Sequence, residues 1–107
     1  MEIKQYQKIL VNLDPTVGAE IQKTRPCVVI SPPEMNQHLK TIIIAPVTSA
    51  IKIYPTRVNI THRDTINQIV LDQIRTINKK RIVKTFDLLS KEEISEIKAI
   101  IKEMLVD

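Results

Sequence analysis

Breaking or making a phosphodiester needs a proton acceptor, a cation for the charge that builds on phosphorus, and a group that returns a proton. One stretch, VNLDPTVGAEIQKTRPCVVIS from Val11 to Ser31, sets Glu20, Lys23 and Arg25 between two apolar runs, Ile9-Leu10-Val11 and Cys27-Val28-Val29-Ile30. Gly18, the only glycine in the chain, lies just ahead of them. Glu20 suits the base. Arg25 suits the clamp, because a planar guanidinium matches two phosphoryl oxygens and keeps its charge. Lys23 adds a second point charge. The same residues also fit a simple ion pair where a strand begins, Arg25 with Glu20 or Asp14. Loops held between rigid strands commonly carry function, which makes this connection the first place to look.

Two later segments supply further groups. Ile42-Ile43-Ile44-Ala45 runs into Pro46-Val47-Thr48-Ser49, where the Thr48 hydroxyl could serve a phosphoryl or leaving oxygen. A Ser/Thr turn closing a strand accounts equally for that tetrapeptide. Arg25 is a poor proton donor, since a guanidinium keeps its proton in proteins. It is therefore read as an electrostatic stabiliser, with the acid left between Thr48 and a water. In Leu71-Asp72-Gln73-Ile74-Arg75-Thr76, strand alternation puts Asp72, Ile74 and Thr76 on one face and Leu71, Gln73 and Arg75 on the other. Asp72 reads as a buried anchor for loop backbone, and Gln73 or Arg75 as facing a ligand. Lys79-Lys80-Arg81 fits either a phosphate track or a solvated turn. His38 and His62, the two histidines, fall in no motif.

The elements that must position these groups are short, β-branched and separated by turn residues, which predicts an all-β core. Strands are expected over Lys8–Leu13, Cys27–Ser31, Lys40–Pro46, Thr56–Thr61 and Ile69–Ile77, with Arg81–Lys84 a candidate sixth. Asp14-Pro15 ends the first, Ser31-Pro32-Pro33 ends the second, and Glu34–Gln37 is read as one helical turn. The C-terminus differs. Ser90 and Glu93 form a capping box, after which Ile94, Ile97, Ile101 and Met104 recur at helical spacing, widened by Ile100 and Leu105. The 107 residues predict one domain, with an amphipathic helix over about 90–105 covering a strongly twisted, partly closed barrel.

Composition narrows the function classes. Aromatics are confined to Tyr6, Tyr54 and Phe86, which argues against stacking platforms as the main mode of binding. Cys27 cannot form an internal disulfide and reads as a small buried hydrophobe. No cluster has zinc-ligand spacing, and no P-loop or dinucleotide fingerprint occurs, so no metal or nucleotide cofactor is expected. No segment is long enough to cross a membrane and none resembles a signal peptide, which makes the cytoplasm the expected location. The net charge is +4, yet residues 90–107 carry −2 and residues 1–89 carry +6. The basic excess lies where the candidate residues are, as a polyanionic substrate requires.

The three segments, in this order, resemble the MazF/PemK family of toxin endoribonucleases. The likeness spans roughly Ile9 to Ile82 and rests on Gly18-x-Glu20 with Thr24-Arg25-Pro26, on Pro46-Val47-Thr48-Ser49, and on Asp72-Gln73-Ile74-Arg75-Thr76. It implies a small SH3-like, MazF/CcdB-like barrel acting as a homodimer. It also implies metal-independent, sequence-selective cleavage of single-stranded RNA to 2′,3′-cyclic phosphate and 5′-hydroxyl ends. Arg25 and Thr48 are the implied catalytic residues, with Glu20 as base, and Gln22, Lys23, Ser49, Gln73 and Arg75 as RNA contacts. A MazE-like antitoxin with an acidic tail is the implied partner. The sequence departs from the family at Lys4-Gln5-Tyr6-Gln7, where Arg-Gly-Asp is common, and in lacking a glycine near Thr85-Phe86. An alternative from another class is a noncatalytic RNA binder or a gyrase-binding module like CcdB, neither of which needs Glu20, Arg25 and Thr48 together.

Overall fold

The computed structural model of the chain describes residues 2–13 and 23–106; Asp14, Gly18, Glu20 and Gln22 lie outside them. The β-branched runs form seven strands: β1 (Gln7–Asn12), β2 (Thr24–Val29), β3 (Thr41–Thr48), β4 (Arg57–His62), β5 (Thr65–Val70), β6 (Arg75–Asn78) and β7 (Ile82–Leu88). A short helix α1 (Pro33–His38) links β2 to β3, and α2 (Lys91–Ile101) follows β7. Among the described residues all pairings are antiparallel, in the spatial order β4-β5-β3-β2-β1-β7, with β6 beside β3. This is the expected mainly-β half-barrel with a C-terminal helix.

Strand β3 is the pivot. One of its edges pairs with β2, from Val29↔Ile44 to Cys27↔Pro46. Its other edge pairs first with β6, up to Ile44↔Arg75, and then with β5 at Val47↔Ile69 and Thr48↔Gln68. The partners change at Ala45-Pro46, where proline has no N–H to give a ladder. Alternation then divides the sheet's apolar residues into two cores. Val28, Ala45 and Val47 join Val58, Ile60 and Ile69 beneath Ile97 of α2. Cys27, Val29, Ile42 and Ile44 join Ile9, Val11 and Ile77 on the opposite face.

The predicted capping box is present: Ser90 Oγ accepts from Glu93 N at 3.1 Å, and Glu93 Oε1 accepts from Ser90 N at 2.9 Å. Such a cap stabilises a helix by about 1 kcal/mol. The other oxygen of Glu93, Oε2, accepts from Thr61 N at 2.8 Å and so ties α2 to β4. Ile97 is fully buried, and Ile94, Ile100, Ile101 and Met104 pack around the same core. Leu105 does not join that stripe. It is 61% exposed, because the backbone widens to a π-type turn over Lys102–Val106 and rotates it outward.

Among the described residues no backbone pairing joins the outer strands β4 and β7; side chains close the gap. Lys8 Nζ donates to Thr61 O at 3.3 Å, and the His62 ring meets Phe86 edge-on with centroids 5.1 Å apart. Arg63 and Lys84 each place their charge 5.3 Å from the Phe86 centroid.

Two expectations need correcting. The run Ile69–Ile77 is not one strand: a 3-10 turn at Leu71–Gln73 divides β5 from β6, which resets the alternation assumed for Asp72, Ile74 and Thr76. β5 also begins earlier, at Thr65, after a two-residue turn in which Arg63 and Asp64 hold positive φ of 52° and 62°. That turn normally carries Asn-Gly or Asp-Gly, so Arg-Asp gave no hairpin signal. Smaller shifts lengthen the sixth run to Ile82–Leu88 and α1 to Pro33–His38.

Candidate active-site groove

Thr24-Arg25-Pro26 starts β2, and register with β1 puts Arg25 opposite Val11. Between the two strands the chain leaves at Leu13 and returns at Lys23, where Leu13 N donates to Lys23 O at 3.1 Å. The connection carrying Glu20 and Gln22 therefore springs from a bonded stem beside Arg25, while Glu20 and Gln22 themselves lie outside the described residues. On the opposite flank, continuing the β2–β3 register two residues past Cys27↔Pro46 brings Arg25 level with Thr48. There the ladder has ended, and a groove of about 250 Å³ opens, lined by Arg25, Pro26, Val47, Thr48, Ser49 and Asn67.

The groove's chemistry follows from these side chains. Arg25 is exposed, and no carboxylate among the described residues lies within ion-pair distance of it. Thr48 Oγ1 accepts from Ala50 N at 3.1 Å, which leaves the hydroxyl's own proton for another acceptor. Behind them, Cys27 is fully buried, and burial pushes its thiol up to about 12 against the opposing pull of the Arg25 and Arg75 charges. The thiol is inert, and both guanidiniums act on it from one neighbourhood.

Of the expected site residues, Arg25, Thr48 and Ser49 share the groove. Arg75 opens β6 opposite Ile44, near Cys27 but outside the groove lining. Lys23 is exposed just before β2, and Gln73 is exposed on the 3-10 turn; neither lines the groove. Asp72 is exposed rather than buried, and its Oδ1 accepts from Thr56 Oγ1 at 2.9 Å, so it anchors a loop side chain rather than loop backbone. Lys79 donates to Asn36 O and Arg81 Nη1 donates to Asn12 O at 3.2 Å, which gives two members of the basic run a structural role. Asn67 was missed. Lying between the expected strands Thr56–Thr61 and Ile69–Ile77, it is a strand residue 9% exposed in the groove wall, its Nδ2 bonded to Thr65.

A larger cavity of about 470 Å³ lies between β4 and β7, lined by residues including Lys8, His62, Arg63 and Phe86. Its cations are already engaged with Thr61 O and the Phe86 ring. His62 is held below the usual imidazole range by burial first and then by Lys8 and Arg63. His38 stands exposed in the last turn of α1 and does not line this cavity, so two-histidine chemistry has no place there. The smaller groove, with a guanidinium that pairs with no carboxylate among the described residues beside an oriented hydroxyl, is the better candidate.

Among the described residues no group of three His, Cys, Asp or Glu side chains is arranged to hold a metal, and no helix is long and apolar enough to cross a membrane. Residues 4–105 match the family described as PemK-like, MazF-like toxin of type II toxin-antitoxin system. Over 102 residues the chain is 34% identical to endoribonuclease MazF of Staphylococcus epidermidis, covering 89% of this chain and 84% of that protein. The fold matches crystalline MazF of Deinococcus radiodurans with a TM-score of 0.80 at 21% identity, over 100% of this chain and 99% of that one. It matches a MazE–MazF crystal structure from the same organism with a TM-score of 0.83 at 21% identity, over 99% and 98% of the two chains. A match from residue 4 to residue 105 leaves little of the sequence unaccounted for, and the chain belongs to the PemK/MazF family of type II toxin–antitoxin toxins.

Proposed function

We propose that the groove between Arg25 and Thr48 is where this toxin cuts single-stranded RNA, without a metal. The chain is an endoribonuclease of a toxin–antitoxin system. In the proposed reaction the 2′-oxygen attacks phosphorus as its proton passes to the Glu20 carboxylate. Arg25 stabilises the charge gathered on the phosphoryl oxygens. The P–O5′ bond breaks, and O5′ takes a proton from Thr48 Oγ, itself resupplied by solvent, or directly from water. The products are a 2′,3′-cyclic phosphate and a 5′-hydroxyl. Lys23, Ser49, Gln73, Arg75 and Gln22 are proposed to contact the flanking RNA and to give cleavage its sequence preference.

One observation carries this reading: Arg25 and Thr48, from different strands, meet in one groove, with Ala50 N–H fixed on the Thr48 oxygen. The toxin is proposed to work in the cytoplasm as a homodimer. Its regulator is proposed to be a MazE-like antitoxin, by analogy with the MazE–MazF structures of Deinococcus radiodurans. An acidic, partly disordered antitoxin tail would compete with RNA for the basic surface, and the competition would weaken as salt rises. The test is to incubate purified protein with a long mRNA in EDTA and to map the fragment ends. Cyclic-phosphate and 5′-hydroxyl ends, lost in Arg25→Ala, are expected. Cutting by Arg25→Ala at the parent rate would place the chemistry elsewhere.

A further inference from the structure

The loop that follows Thr48, residues 49–56, is held unusually firmly for a surface segment. Gln68 is 4% exposed, and its side-chain amide makes four bonds. Nε2 donates to Lys52 O at 3.1 Å and to Asn59 Oδ1 at 2.9 Å, while Oε1 accepts from Lys52 N at 3.0 Å and from Arg57 Nη1 at 3.1 Å. The two bonds to Lys52 reproduce a β-bridge with a side chain. Arg57 Nη1 also donates to Ala50 O at 3.1 Å, and Ala50 N is the group that holds Thr48 Oγ1. A continuous set of bonds thus runs from the groove's hydroxyl to the middle of the loop.

What that loop displays is an aromatic ring flanked by cations. Tyr54 is 53% exposed, with the Arg57 guanidinium carbon 5.5 Å and Lys52 Nζ 5.9 Å from its centroid. Unpaired bases of single-stranded RNA stack on such rings, and neighbouring cations answer the backbone phosphates. We infer that Tyr54, with Lys52 and Arg57, is a stacking subsite for a nucleobase flanking the scissile phosphate, and that Gln68 positions it. The inference rests on the endoribonuclease reading and extends it to a substrate contact outside the groove. A loop already fixed before RNA arrives loses little entropy on binding, which is why an immobile platform suits the purpose.

Tyr54 can be watched alone, because Tyr6 is the only other tyrosine. A Tyr6→Phe protein grown with 3-fluorotyrosine gives one fluorine resonance, from Tyr54. The probe is a short single-stranded RNA spanning a mapped cut site, with 2′-deoxyribose at the cut nucleotide so that it persists. The resonance is expected to shift and saturate with the RNA. Tyr54→Ala is expected to raise KM for cutting by about 5- to 150-fold with kcat little changed, as the loss of one stacked base implies, and Tyr54→Phe to stay near the parent. Gln68→Leu is expected to raise KM in the same direction while Tyr54 is still present. An unmoved resonance with RNA that the parent cuts, or an unchanged KM in Tyr54→Ala, overturns the subsite and leaves the groove chemistry intact. A resonance that shifts with protein concentration alone assigns Tyr54 to contact between copies, and also overturns it. Absence of RNA cutting by the parent protein would instead defeat the endoribonuclease reading itself.

Discussion

The groove at the end of β3 and the gap between β4 and β7 contain similar kinds of side chain in very different states. Each has cations and hydroxyls, and the gap is the larger cavity, at about 470 Å³ against 250 Å³. In the gap, Lys8 of β1 is bonded to Thr61 O of β4, and Arg63 and Lys84 flank Phe86 of β7, so these charges are already taken up by contacts within the fold. In the groove, Arg25 has no carboxylate partner among the described residues, and Thr48 keeps its proton undonated. The difference teaches that volume is a poor guide to chemistry here. What marks a site is polar capacity the fold has not already used.

Mutations can break that contrast, the largest effect first. Arg25→Ala should lower the RNA cutting rate by about 10²–10³-fold, the usual cost of one electrostatic donor to a developing charge. Its melting temperature should hardly move, because the side chain is exposed. Thr48→Val keeps the shape of the strand end and should cost about 10²-fold in kcat if its hydroxyl is the acid; a smaller loss would assign that proton to water. Phe86→Ala should do the reverse. Losing a half-buried ring and its cation contacts should remove about 1–2 kcal/mol of stability, read by urea unfolding, while the folded fraction cuts RNA at the parent rate. The smallest effect concerns His62. Its pKa is lowered in the folded state, so below about pH 6.5 the unfolded chain takes up a proton first and stability falls as pH falls. His62→Gln should flatten that slope, and an unchanged slope would locate it in other groups.

How much of this was legible in the sequence depended on whether local pattern or register decided the matter. Ser90, Glu93 and the isoleucine stripe showed α2 because capping and 3.6-residue periodicity are local rules. Cys27 was legible as a buried thiol because β-branched neighbours surround it, and Arg25 and Thr48 stood out beside Pro26 and Pro46. The Arg63-Asp64 turn was not, since it lacks the glycine that usually marks such a turn and arginine does not favour positive φ. Missing that turn hid β5, and with it Asn67 in the groove and Gln68 beneath the loop. The break at Leu71–Gln73 was also invisible, because an apolar run flanked by polar residues reads the same whether a strand continues or yields to one tight turn. The second oxygen of Glu93, bonded to Thr61 N, depends on a contact 32 residues away in sequence that no local rule anticipates.

That second oxygen has a further consequence. An outermost strand with bare N–H groups invites a neighbouring molecule to add itself and begin a fibre. Here a single carboxylate occupies one such group on β4 while its other oxygen caps the first turn of the terminal helix. The helix start and the protection of the sheet's margin therefore fail together. Replacing Glu93 would loosen the helix and bare the margin in one step, and would turn a modest loss of stability into a tendency to self-associate.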